Sequence, residues 1–477
     1  MRYVATRAEG DPGVSFETAL FEGLPSHGGL YVPQAVEPWN LEDLARLSER
    51  TLTEIALQVL RPYVRGVVDA ATLEAVVVEA LNFPIPIVEV EPCIYSVELF
   101  HGPTLAFKDV GARVMARLMA SLHHADDPLT VLAATSGDTG SAVAYAFHRV
   151  PRTRVVILYP DGRVSPTQEA QLTVFNGQRG NVRAYAVSGS FDDCHRLTRE
   201  MFGDAHVRQR MRITSANSLN VGRLLPQMVY YFHAVGQVLA RAAGNGVVCS
   251  TPSGNFGNLT AGLMAKRSGL PIVQFVAATN VNDVVPTYLE TGHFEPRASV
   301  QTLANAMDVG SPSNFERMRW LYGDDLGGMR RDIVGCRQTD DEVRKTILRV
   351  YEERGYLLDP HSAIAYAGLK AILGQGRSAC GSREAAGPPA RSAAMGCQKR
   401  SRRASASGGG APRAVIGEDT GFFLATAHPA KFAEIVEPII GRSIDKPEPL
   451  ANALSRPRHI IRIPATPDAV RAVLEES

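Results

Sequence analysis

Lys108 lies in a run from Glu98 to Asp109 that reads ELFHGPTLAFKD, and Leu105, Ala106 and Phe107 beside it are apolar or small. Burial among such side chains disfavours an ammonium, so the pKa of the amine falls from about 10.4 toward the range of a nucleophile or Schiff-base former. The next segment, DVGARVMARLMASL, carries Val110, Val114, Met115, Leu118, Met119 and Leu122 at helical spacing. Lys108 is therefore expected where a loop enters a half-buried helix. A solvated lysine at a helix start is the other reading of the same residues.

Three further loops offer anion chemistry. ATSGDTGSAVAYAF supplies hydroxyls from Thr135, Ser136 and Thr139 and backbone N–H groups beside Gly137 and Gly140. With a helix beginning near Ser141, it is a candidate carboxylate cradle. TPSGNFGNLTAGLMAK places Gly254, Asn255, Gly257 and Asn258 at the turn between an apolar strand and a helix. Backbone amides there suit a phosphate, and the missing GK[ST] argues against nucleotide hydrolysis. TSANSLNVGR brings Asn217, Ser218, Asn220 and Arg223 within seven positions. They form a candidate second phosphate site, in which a planar guanidinium donates twice to one phosphate; a polar turn with a solvated Arg is the alternative. Downstream, GFFLATAHPAKF ends a strand with Thr426 and His428 and puts Pro429 at a first helical position. A hydroxyl at that strand end can face a heterocycle.

The elements that must hold these loops alternate. From Leu129 onward, LTVLAAT, VVILYP, VRAYAV, GVVCSTP, IVQFVAAT and GFFLATA read as short strands separated by helical patterns, which predicts an α/β fold with parallel sheet covered on both faces. In such folds ligands collect beyond the carboxyl ends of the strands. Before residue 95 the chain is turn-rich and then helical, as in LEDLARLSER, TLTEIALQVL and ATLEAVVVEAL, and is expected to be an accessory region. Between 374 and 413 hydrophobic periodicity stops. That stretch carries Arg377, Arg383, Arg391, Lys399, Arg400, Arg402, Arg403 and Arg413 against the lone Glu384, and reads as a disordered basic insertion, a solvated loop ahead of the strand that presents Thr426.

Composition narrows the partners. The chain has 477 residues, 45% of them hydrophobic, with 50 basic and 49 acidic residues for a net charge of +1. It can bury more than one core, and nothing global calls for nucleic acid or an anionic membrane. Cys93, Cys194, Cys249, Cys336, Cys380 and Cys397 form no CxxC pair and no Cys/His cluster at metal-ligand spacing, so no metal site is expected. No run of about 18 uncharged apolar residues occurs, and the opening residues lack an apolar core of the signal-peptide kind. A soluble cytoplasmic protein is expected.

HGPTLAFKD, ATSGDTG, GNFGN and LATAHPAKF, in that order, resemble the signatures of the threonine synthase family, pyridoxal-phosphate enzymes of fold type II. SFETALFEGLPSHGGLYVP, ATNVNDVVPTYLETG and DPHSAIAYAG extend the resemblance over nearly the whole chain outside the insertion. The N-terminal extension and the Asp of ATSGDTG are similar to the longer bacterial and fungal branch. The fold implied is tryptophan synthase β-like: two open, mostly parallel sheets covered by helices, plus a helical N-terminal extension. The domains implied are an accessory region at 1–95, a smaller α/β domain at 96–225 with Lys108, and a larger one at 226–477 with the cofactor-phosphate loop.

Carried residue by residue, the resemblance makes Lys108 the lysine that joins pyridoxal 5'-phosphate. It assigns Gly254, Asn255, Phe256, Gly257 and Asn258 to the cofactor phosphate, Thr426 to the pyridine nitrogen and Asp138 to the cofactor side. Thr135, Ser136 and Thr139 would face the substrate carboxylate. Asn217, Ser218, Asn220 and Arg223, helped by Lys266, would hold the leaving phosphate. The implied reaction converts O-phospho-L-homoserine and water to L-threonine and phosphate, in a monomer or homodimer without nucleic acid or membrane. Rival readings are a phospho-lyase or dehydratase using the same lysine, and a non-catalytic relative.

Overall fold

The structure is a computed structural model that describes residues 1–476 apart from 9, 136, 243–245 and 381–419, and only the backbone of 375–380. Among the described residues thirteen strands are formed: β1 Tyr3–Ala5, β2 Tyr31–Pro33, β3 Ile87–Glu91, β4 Ile94–Glu98, β5 Leu129–Ala134, β6 Thr153–Pro160, β7 Val182–Ser188, β8 Arg212–Ser215, β9 Val247–Pro252, β10 Ile272–Thr279, β11 Ile333–Arg337, β12 Gly421–Ala425 and β13 Ile461–Pro464. They make a β1–β2 pair and two larger sheets. One runs β11-β10-β9-β12-β4-β3 and the other β13-β7-β6-β5-β8. All neighbours in the two large sheets are parallel except the β3–β4 hairpin. Each of the six runs expected to be strands is one. In β5, β9 and β12 every residue is buried, as a strand covered on both faces requires.

Two pieces of chain depart from the expected domain boundaries at 95 and 225. The β3–β4 hairpin straddles residue 95 and belongs wholly to the six-stranded sheet. Strand β13, far inside 226–477, pairs with β7 in the five-stranded sheet. The polypeptide crosses between the sheets at both ends rather than dividing once.

The N-terminal region is a brace. Its Leu52–Val64 helix opens with a Thr51/Glu54 capping box and buries Ile55, Val59, Leu60 and Tyr63. The Ala70–Ala80 helix receives Arg113 from the helix that carries Lys108, with Nε donating to the Ala80 carbonyl at 2.7 Å and Nη2 to that of Glu79 at 2.7 Å. Farther along, the carbonyl of Tyr31 accepts from Arg317, a guanidinium with no exposed surface. The basic segment expected to be disordered from 374 begins as the last two turns of the Pro360–Cys380 helix; the rest of it, 381–413, lies outside the described residues.

Candidate active site

A cleft of about 550 Å³ opens where the C-terminal ends of strands from both sheets converge, lined by Ala134 of β5, Ser215 of β8, Pro252 of β9 and Thr426 after β12. Lys108 enters it as the first residue of the Lys108–Leu122 helix. A clamp fixes the loop before it: Thr104 donates from its backbone N–H and its hydroxyl to Asp109, both at 2.8 Å. Gly102 is needed there, because a Cβ would stand 2.5 Å from the Asp109 carboxylate. Leu105 takes φ 57, a left-handed conformation costly for a branched side chain. It is held by its carbonyl accepting from His428 N–H at 3.1 Å and by the isolated Ala106–Ala427 bridge. The Lys108 side chain is 16% exposed. Burial drives its pKa down to about 8; Asp138 opposes the shift, and Lys431 and Arg223 add to it.

The loop after β9 meets the requirements of a phosphate cradle. Phe256 adopts φ 60 just before the Gly257–Arg267 helix, whose first amides lack partners within the helix. A Cβ on Gly254 would come 2.7 Å from the Met307 Cα, so only glycine lets these two segments meet. Asn258 accepts from Tyr230 at 2.6 Å and Tyr231 at 2.7 Å, which leaves its buried Nδ2 without a partner. That free donor, next to the helix N-terminus, fits a bound phosphate. The Asn255 side chain is already engaged. It donates to Ser218 at 2.8 Å and accepts from Ser313 N–H at 2.6 Å, which fixes its orientation.

After β5 the arrangement is tighter than the sequence suggests. The Thr135 hydroxyl accepts from Gly137 N–H at 3.0 Å and Gly140 N–H at 2.8 Å, closing its own loop. Ser136 lies outside the described residues. Thr139 and Asp138 line the cleft. Asp138 is paired: Lys431 Nζ stands 2.9 Å from its Oδ1 and Lys108 Nζ 4.0 Å from its Oδ2. Burial opposes its ionisation, yet Lys431 and then Lys108 hold the carboxyl well below the usual range.

Asn217, Ser218 and Arg223 line the same cleft. Arg223 is 3% exposed, donates from Nη1 to the Ala216 carbonyl at 2.6 Å, and has an unpartnered Nε; the Asn217 Oδ1 is also unpartnered. Two expectations fail. Asn220 faces away from the cleft and is fully buried; its amide donates to the carbonyls of Leu20 at 2.8 Å and Ser215 at 3.0 Å and accepts from Gly222 N–H at 2.9 Å. It fastens the N-terminal region to this loop. Lys266 sits in the last turn of its helix, paired with Asp332 at 2.8 Å and donating to the Val273 carbonyl at 2.9 Å. Helix geometry carries it about two and a half turns from Gly257, away from any anion at that end.

Thr426 lines the cleft. Two residues that sequence reasoning missed stand with it. Lys431 is wholly buried and was visible only as the last charge in LATAHPAKF. His361, in DPHSAIAYAG, lines the cleft with its Nδ1 2.6 Å from Asp359 and its buried Nε2 unpartnered. Among the described residues no group of three His, Cys, Asp or Glu could hold a metal, and no helix is long and apolar enough to cross a membrane.

Known proteins share this architecture. The profile of the family described as pyridoxal-phosphate dependent enzyme matches residues 82–380, flanked by profiles for the threonine synthase N terminus at 2–81 and the threonine synthase C-terminal region at 405–474. Threonine synthase from Haemophilus influenzae is 42% identical over 440 residues, which are 92% of this chain and 91% of that protein. The crystal structure of threonine synthase from Escherichia coli superposes with a TM-score of 0.84 at 36% identity, covering 100% of this chain and 99% of the other. The PLP-bound threonine synthase from Brucella melitensis gives 0.83 at 34%, covering 99% and 98%.

Proposed function

The chain belongs to the threonine synthase family of pyridoxal-phosphate-dependent lyases, and from that premise we propose that its substrate is O-phospho-L-homoserine, turned over with water to L-threonine and phosphate in this cleft. The observation that carries the reading is the shared lining: the Lys108 amine, the 254–258 loop and the Arg223 guanidinium face one cavity. That geometry serves a ligand with two separate phosphate demands, one from the cofactor and one from the substrate.

Amides of the 254–258 loop and the free Asn258 amide would hold the cofactor phosphate, and the Thr426 hydroxyl would serve the pyridine nitrogen as a neutral partner. Bound there, pyridoxal phosphate supplies an electron sink for charge that builds on a substrate carbon as a proton leaves. Lys108, whose buried amine loses its proton near pH 8, takes the α and then a β proton and returns protons later in the cycle. Arg223, Asn217 and Ser218 stabilise the phosphate that departs from Cγ with the electron pair of the C–O bond. A water oxygen then bonds Cβ, and Cγ ends as a methyl group. Thr139 and the first amides of the Asp138–Phe147 helix orient the substrate carboxylate.

A cytoplasmic setting goes with this reading: Cys93, Cys194, Cys249 and Cys336 are free thiols, the state a reducing compartment maintains. The deciding assay supplies O-phospho-L-homoserine to the purified, cofactor-loaded protein and measures threonine and phosphate together. Equal release of both supports the proposal; a keto acid with ammonia in place of threonine would make the chain a phospho-lyase.

A further inference from the structure

Asp138 holds two lysines at once. Lys431, with no exposed surface, donates to Asp138 Oδ1 at 2.9 Å and to the Thr104 carbonyl at 2.8 Å. Gln168 adds a second donor to Oδ1 at 3.3 Å. The opposite oxygen faces Lys108 across 4.0 Å. Thr104 also clamps Asp109, the residue after Lys108, so Lys431 touches both the carboxylate beside the reactive amine and the loop that carries that amine.

A buried carboxylate at this range, unaccompanied, would bind Lys108 as an ammonium, because opposite charges attract far more strongly in a poorly solvated site than in water. A protonated Lys108 is neither nucleophile nor base. We propose that Lys431 is a positioning residue: its ammonium neutralises Asp138, so that the carboxylate orients Lys108 without holding it protonated. This rests on the reading of Lys108 as the reactive lysine. The other charged groups around the pair are Asp109 on the lysine's own helix, Arg223 on the Val221–Leu224 helix and His361 on the Pro360–Cys380 helix. None of these three forms a hydrogen bond or ion pair with Asp138, and Lys431 is the nearest cation to it.

The test is competitive labelling of amines in the full-length, cofactor-free protein across a pH series, with peptide mass spectrometry reporting the pH at which Lys108 reaches half its maximal reactivity. Lys431→Met, which strands the carboxylate beside Lys108, is expected to raise that midpoint by about one pH unit or more. Asp138→Asn is expected to lower it. The double variant Lys431→Met/Asp138→Asn removes both charges and is expected to bring the midpoint back toward that of the parent protein. Should Lys431→Met fail to fold, as circular dichroism would reveal, Asp138→Asn and the double variant decide the matter, since both dispense with the unpaired carboxylate. A midpoint that is unmoved in Lys431→Met, or a double variant no closer to the parent than the single ones, overturns the proposal. Threonine formation by the loaded parent protein is scored separately, so that a failed function and a failed role for Lys431 give different results.

Discussion

The backbone N–H of Phe107 donates to the carbonyl of Thr426 at 2.9 Å. The residue before Lys108 is thereby stitched to the one that follows β12, although more than three hundred positions separate them. β12 lies in register between β4 and β9, and Thr426 reaches the cleft despite the basic segment upstream. Thr426→Val keeps the shape and removes the hydroxyl. Turnover should fall up to about tenfold, the worth of one neutral hydrogen bond, with the cofactor still bound. Steady-state rates beside the visible spectrum check this; an unchanged kcat would mean that the hydroxyl meets no ring atom.

Lys108→Met should abolish threonine formation and the visible band that pyridoxal phosphate acquires on joining an amine. It should also stabilise the cofactor-free protein. The amine's pKa falls from 10.5 in the unfolded chain to about 8 in the folded one, so between those values the unfolded state binds more protons and the parent protein gains stability as pH rises. Below pH 8 the variant should be the more stable by about 3 kcal/mol, with the difference closing between pH 8 and pH 10.5. Denaturant melts at pH 7 and pH 10 measure the gap at both ends.

Arg223→Ala should lower kcat/KM for O-phospho-L-homoserine by about a hundredfold, since a charge-assisted bond contributes roughly 1.5–3 kcal/mol. Cofactor binding should persist. Arg223→Lys should recover little, because an ammonium cannot both hold the Ala216 carbonyl and present a planar fork to a phosphate. Equal loss of cofactor and activity would make Arg223 a scaffold residue instead.

Lys266 and Asn220 should separate cleanly. Lys266→Met breaks a partly exposed pair with Asp332 and should leave kcat/KM unaltered, at a stability cost below about 1 kcal/mol. Asn220→Ala strips donors from the buried carbonyls of Leu20 and Ser215 and should cost about 1–3 kcal/mol. Thermal melts and kinetics on both variants provide the comparison. A large rise in KM for Lys266→Met would return that residue to the substrate site.

How much of this was legible follows from where each residue's partners lie. Strands β5, β6, β9, β10 and β12 are covered on both faces and so appear in the sequence as continuous apolar runs. The strands that sequence reading passed over include all four sheet edges: β3, β11, β8 and β13. Each buries less and mixes in polar residues, as in IVGCR and IRIP.

The loops Lys108 needs could be read from the chain because their chemistry is local: glycines where backbone must approach, amides at a helix start, a hydroxyl at a strand end. Sequence by itself therefore determined the fold class and the strand that precedes Thr426, and it picked out Lys108, the 254–258 loop and Thr426, which line one cleft. Tertiary structure alone decided which side chains were already engaged. Asn220 and Asn255 bond to distant segments, Lys266 turns to Asp332, and Asp138 is neutralised by Lys431, a partner 293 positions later. A side chain's type states what it can bond. Only the folded chain, by bringing remote groups within about 3 Å, settles which bond is made and which donor stays free for a ligand.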